Sequence, residues 1–268
     1  MQILLNTSKW YDRLWASLMF FTRLPLWRWH QPHQDAFKAV VEFWPLTGWL
    51  TAAVMASVLY ASSLLFPYTI AVLLAVISRL LLTGGLHEDG LADFFDGFGG
   101  GGSNRQRVLD IMKDSHIGTY GVLALILYLA LLFTTLLSMQ PVDAALTILM
   151  ADPYAKMISA QVIQMMPYAR TAETAKSHVV YRKFSWGAGI SLAVQGLLPL
   201  ALYLWWMGER VDWQLAVFIP CLMMYFLYRF IWHRLRGYTG DCCGAIFLLT
   251  ELTVYLVVSC CFSMSLSR

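Results

Sequence analysis

Residues 84–102 hold an unusual concentration of acids and glycines: Gly84-Gly85-Leu86-His87-Glu88-Asp89-Gly90-Leu91-Ala92-Asp93-Phe94-Phe95-Asp96-Gly97-Phe98, then Gly99–Gly102. On a helix, Asp89, Asp93 and Asp96 stand at i, i+4 and i+7 and project within about 60° of one another. Two unit charges about 6 Å apart repel by roughly 3 kcal/mol at an effective dielectric near 20, so this triplet calls for a cation, a proton or ample water. Oxygen-only ligation without thiolates points to Mg²⁺ or Mn²⁺ held alongside substrate phosphates. Asp89, Asp93 and Asp96 are the expected metal ligands and catalytic carboxylates. Glu88, about 100° round the same helix, is a further oxygen donor.

A second stretch, Met112-Lys113-Asp114-Ser115-His116-Ile117-Gly118-Thr119-Tyr120-Gly121, supplies a base, an acid, a histidine and a glycine pair. Such a turn can bring Lys113 and backbone N–H groups to an anionic group. A third, Gly237-Tyr238-Thr239-Gly240-Asp241-Cys242-Cys243-Gly244, opens the last apolar run, and Glu251 lies seven residues beyond it. An ionisable group inside an apolar helix is costly, which makes Glu251 and Arg79 candidates for substrate binding, with bridging between helices the competing role for Glu251.

The elements that position these residues belong to a membrane. Of 268 residues, 59% are hydrophobic and 13% charged, against roughly 45–50% and 25% in soluble domains. About 20 apolar residues are needed to cross a bilayer. Seven runs qualify, near 43–66, 69–86, 118–139, 143–166, 187–207, 213–232 and 244–265, preceded by an amphipathic interfacial segment at Trp10–Leu26 that does not read as a cleavable signal peptide. The expectation is a single all-α domain over residues 1–268, a polytopic bundle of about seven transmembrane helices. Of its 19 Lys and Arg residues, 15 precede the first run, lie in the connections 2–3, 4–5 and 6–7 or, as Arg229 does, sit at the adjoining end of the sixth run. The positive-inside rule puts that face, with all three acidic stretches, in the cytoplasm. A short confined basic content gives no broad face for nucleic acid. The five cysteines form neither a disulfide framework nor a spaced zinc site. Oligomeric state is left open.

Several blocks together are similar to the cobalamin synthase family, the adenosylcobinamide-GDP ribazoletransferases. They are Phe20-Phe21-Thr22-Arg23-Leu24-Pro25, Phe43-Trp44-Pro45-Leu46-Thr47-Gly48, His87–Asp93 with Asp96-Gly97, Met112–Gly121, Pro167-Tyr168-Ala169-Arg170 and Gly240-Asp241, in order along nearly the whole chain. Two departures are Lys156, where an arginine is expected, and Thr171-Ala172-Glu173, which replaces a glycine-rich continuation. The resemblance implies an enzyme of the bacterial inner membrane, its site facing the cytoplasm, that joins adenosylcobinamide-GDP to α-ribazole or its 5′-phosphate and releases GMP. It also implies roles: Mg²⁺ on Asp89, Asp93 and Asp96; Lys113 or Arg170 on phosphate oxygens; an acid or His116 as base; and His87, Arg79, Asp114, Arg170, Asp241 and Glu251 towards substrate. Two alternatives remain, an intramembrane prenyltransferase using Mg-diphosphate, whose paired Asp-rich motifs are missing, and a cation transporter relaying through Glu251, Asp152 and Arg79, for which no repeat symmetry is seen.

Cysteine-labelling of intact cells should place 84–116, 167–185 and 233–243 on the cytoplasmic side and residues near 209–212 outside. Labelling of 84–116 from outside would contradict the assignment.

Overall fold

The computed structural model describes residues 9–170 and 179–266, so the Thr171-Ala172-Glu173 departure lies outside the described residues. Apart from an isolated parallel bridge between Tyr168 and Tyr238, the described chain is helix, turn and coil. In order it runs α1 (Trp10–Phe21), a 3-10 segment (Gln34–Phe43), α2 (Trp44–Ser63), α3 (Tyr68–Thr83), α4 (Leu86–Gly100), α5 (Arg105–Lys113), α6 (Thr119–Leu137), α7 (Pro141–Ala160), α8 (Val162–Met165), α9 (Trp186–Met207), α10 (Trp213–Leu235) and α11 (Gly240–Leu266).

Among the described residues, five helical segments are long and apolar enough to cross a bilayer, and α3 with α4, taken as one bent unit, would be a sixth. The protein is thus an all-α, multi-pass membrane bundle. The expected fourth span corresponds to α7, whose 20 residues would reach about 30 Å. Its Asp143, Asp152 and Lys156 keep it from standing among those five or six. Those charges are tolerable because α7 is central, packed by α2, α9 and α11. Lys156 Nζ is 2.6 Å from Asp152 and donates to Thr51 Oγ1 of α2 at 3.0 Å, and Asp152 accepts from the same hydroxyl at 2.6 Å. By contrast α6, α9 and α10 turn broad apolar surfaces outward, as lipid-facing helices do.

The bend after α3 has a local cause. Gly84 and Gly85 both adopt the left-handed conformation, with φ of +67° and +68°, which side chains disfavour. The chain therefore turns through 88° and α4 runs across the end of the bundle, against α11, α6 and α5. Asp96 then fixes α4 to α6. Its Oδ2 accepts from the Gly118 N–H at 2.7 Å and its Oδ1 from the Gly121 N–H at 2.9 Å. These are otherwise unsatisfied donors at the α6 N-terminus, where a negative charge also suits the helix dipole. Glycine is needed there: a Cβ on Gly121 would sit 2.4 Å from Asp96 Oδ2 and 3.0 Å from the Ala92 carbonyl.

Gly121→Ala should therefore cost roughly 1–3 kcal/mol by overpacking. Gly187→Ala, where a Cβ meets nothing within 4 Å, should be neutral or slightly stabilising. Thermal melts in detergent check the pair, and equal melting points would contradict the packing described.

Candidate active site

Two helix beginnings, those of α4 and α11, meet with almost no side chain between them. A Cβ on Gly90 would lie 3.2 Å from the Asp241 Cα, and one on Gly244 would lie 3.2 Å from the His87 carbonyl oxygen. This backbone-to-backbone approach is how small residues let membrane helices cross closely. It brings Asp89 and Asp241 to the wall of one cavity of about 240 Å³, which Arg170 also lines. The strand-like bridge secures Arg170's segment: the Ala169 N–H donates to the Tyr238 carbonyl at 2.8 Å and the Tyr238 N–H to Pro167 at 3.0 Å. Gly237 permits that contact, since a Cβ there would be 2.7 Å from the Pro167 oxygen. Arg170 Nη2 donates to the Leu109 carbonyl at 2.6 Å, while its Nε is buried without a hydrogen-bond partner among the described residues.

The rest of the cavity is largely aromatic. Phe21 of α1, Trp44 of α2 and His87 of α4 present nearly parallel rings, with interplanar angles of 12° (Phe21–Trp44), 6° (Phe21–His87) and 14° (Trp44–His87). Tyr168 and Tyr181 line it as well. Burial, followed by the charge of Asp241, pushes the Tyr168 hydroxyl up to about 12, so it remains a protonated donor at neutral pH.

The residues singled out from the sequence divide into three sets. Asp89, His87, Arg170 and Asp241 share the cavity. Glu88, Arg79 and Glu251 form a buried assembly of their own: Arg79 Nη1 donates to both Glu251 oxygens at 2.8 and 2.7 Å, Nη2 donates to the Tyr128 hydroxyl at 2.6 Å, and Glu88 lies 3.5 Å from the guanidinium. These three residues are not on the cavity wall. Lys113, Asp114 and His116 are exposed. Asp114 accepts from the His116 backbone N–H at 3.0 Å and pairs with its ring at 2.7 Å, an interaction that holds the Asp114 carboxyl below its usual range.

The three aspartates on α4 are likewise not equivalent. They share a face as expected, but the helical rise sets Asp89 and Asp96 about 10 Å apart along the axis. Asp89 is on the cavity, Asp93 is buried one turn further on, and Asp96 has both oxygens engaged by the start of α6. Among the described residues no group of three or more His, Cys, Asp or Glu is placed to hold a metal. Mg²⁺ does not require such a cage, because one or two carboxylates plus substrate phosphates suffice. Asp89 and Asp241, all-oxygen donors on one cavity, fit that requirement. Asp96, Glu88 and the sequence-based triad as a unit do not.

Phe21 and Trp44 carry no chemical signature in their own stretches of sequence. The Phe20-Phe21 and Phe43-Trp44-Pro45 blocks were visible there, yet nothing in their spacing shows that rings from three elements line up.

Replacing Asp89 by Asn should lower kcat on the order of 10²-fold, a loss that exceeds any accompanying loss of stability. Asp96→Asn should do the reverse in emphasis, costing roughly 1–3 kcal/mol of stability because its amide nitrogen cannot accept from an N–H. A stable Asp96→Asn protein as inactive as Asp89→Asn would contradict the division.

Comparison with known proteins adds an independent line. No solved structure matches the chain. A Leptospira interrogans protein named adenosylcobinamide-GDP ribazoletransferase is 32% identical over 253 residues, covering 93% of this chain and 95% of the relative. Proteins of the same name from Shewanella baltica and Leptothrix cholodnii are 33% and 34% identical, covering 92% and 90% of this chain and 93% and 92% of their own lengths. The family model described as cobalamin-5-phosphate synthase matches residues 13–259, a stretch that runs from α1 into α11 and contains every wall of the cavity. The chain belongs to the cobalamin-5-phosphate synthase family.

Proposed function

We propose that the protein is an adenosylcobinamide-GDP ribazoletransferase of the bacterial inner membrane, working from the cytoplasmic face. A hydroxyl of α-ribazole, or of its 5′-phosphate, attacks the cobinamide-side phosphorus of adenosylcobinamide-GDP. The new oxygen–phosphorus bond forms as the bond to the bridging oxygen breaks, and GMP leaves with that oxygen. The hydroxyl proton passes to a carboxylate.

The observation that carries this reading is the meeting of Asp89, Asp241 and Arg170 on one cavity in a chain matched to the family over nearly its full length. Arg170 offsets negative charge on the diphosphate, and the α4 and α11 beginnings add backbone N–H groups and positive helix-dipole ends. Tyr168, held protonated, adds a donor. Asp89 and Asp241 serve two tasks: holding Mg²⁺, and receiving the proton from the attacking hydroxyl. Bound there, Mg²⁺ would stabilise charge on the transferred group and the leaving phosphate. His116, exposed and paired with Asp114, is left out of this scheme, as are Arg79 and Glu251.

Purified protein given adenosylcobinamide-GDP and α-ribazole should release GMP and form the joined corrinoid only when Mg²⁺ or Mn²⁺ is present. Full turnover in excess EDTA would remove the metal from the proposal, and no corrinoid product under any condition would overturn the activity.

A further inference from the structure

Three features of the cavity are not used by the phosphoryl chemistry. Its lining includes the nearly parallel set of Phe21, Trp44 and His87 rings, and Phe20 and Tyr181 meet edge-to-face, 6.1 Å apart, on the same cavity. Trp44 Nε1 and His87 Nε2 are buried and have no hydrogen-bond partner among the described residues. Asp89, two residues from His87 on α4, completes the lining with Arg170 and Asp241, which come from other segments.

We infer that these aromatic rings seat the flat base of the ribazole acceptor, with Trp44 as the residue that selects it; the inference rests on the transferase reading above. A benzimidazole riboside has two apolar faces and, once one ring nitrogen carries the ribose, a single remaining ring nitrogen that can only accept. Parallel rings offer a stacking surface for such faces. Indole Nε1–H is a donor without acceptor capacity, the complement of that nitrogen. A buried donor left unpaired is costly, so an incoming acceptor both gains a hydrogen bond and relieves the donor. The cavity of about 240 Å³, which the charged residues also line, is of the scale of a bicyclic base rather than of a corrin macrocycle with its side chains. With the base seated there, the ribose hydroxyls extend towards Asp89, Asp241 and Arg170, where the diphosphate is expected.

The test is steady-state kinetics on the full-length protein in detergent. In the wild type, free 5,6-dimethylbenzimidazole should inhibit competitively against α-ribazole and not against adenosylcobinamide-GDP. Trp44→Phe and Phe20→Leu should each raise the KM for α-ribazole roughly tenfold, the scale of one aromatic contact, and shift the KM for adenosylcobinamide-GDP by less than about twofold. Competition of the base with adenosylcobinamide-GDP, no inhibition by the base up to its solubility, or KM changes confined to the corrinoid substrate would each overturn the inference. Should Trp44→Phe fail to fold, Phe20→Leu on the same cavity carries the test of location. A wild type that forms no corrinoid product fails the transferase reading itself, whereas product formed with the reversed pattern fails only the assignment of the cavity.

Discussion

A guanidinium in the apolar interior of a membrane bundle must be neutralised and fully hydrogen-bonded, and the way Arg79 meets that demand organises the rest of the protein. Its side chain is 3% exposed and that of its partner Glu251 is fully buried. The pair joins α3 to α11, Tyr128 adds α6, and Glu88 adds the first turn of α4. Tyr255 donates to the remaining capacity of Glu251 at 3.0 Å. Removing one member would strand a charge, a loss of about 3–5 kcal/mol, so the four helices are held to one arrangement.

That arrangement is what makes the site. With α3 and α11 locked together, the two left-handed glycines direct α4 across the bundle end, and Gly90 and Gly244 let it touch α11 backbone to backbone. Asp89 and Asp241, 152 residues apart in the chain, thereby line the same cavity. Asp96 anchors the other end of α4 to α6. The acidic helix thus does two things along its length: its first turn presents Asp89 to the cavity and its third is attached to α6.

Much of this could be read from the residues, and the misses share a cause. The runs at 187–207 and 213–232 agree closely with α9 and α10, because lipid-facing helices are apolar all round and their ends are marked by polar residues. The helical nature of the acidic stretch and its common face were equally legible. What angle alone does not convey is rise: three side chains on one stripe can still lie too far apart along the axis to share an ion. Nor does a single sequence reveal pairings at long range. Arg79 and Glu251 look like two costly intramembrane charges until they are seen to satisfy each other across 172 positions. Lys113, Asp114 and His116 carry suggestive chemistry, but whether a short turn faces a cavity or water depends on neighbours that their own stretch does not specify.

The central claim is that Arg79 and Glu251 position the site without taking part in its chemistry, and a double-variant cycle on turnover and thermal stability tests it most directly. Made in a Glu88→Gln background, because Glu88 also faces the guanidinium, Arg79→Met and Glu251→Met should each be strongly destabilising and poorly active, whereas the double variant, which then leaves no unpaired charge in the cluster, should regain stability and recover most of the kcat lost by either single change. A double variant that folds as stably as the wild type yet remains as inactive as the singles would show that the pair acts on substrate, and would contradict the account.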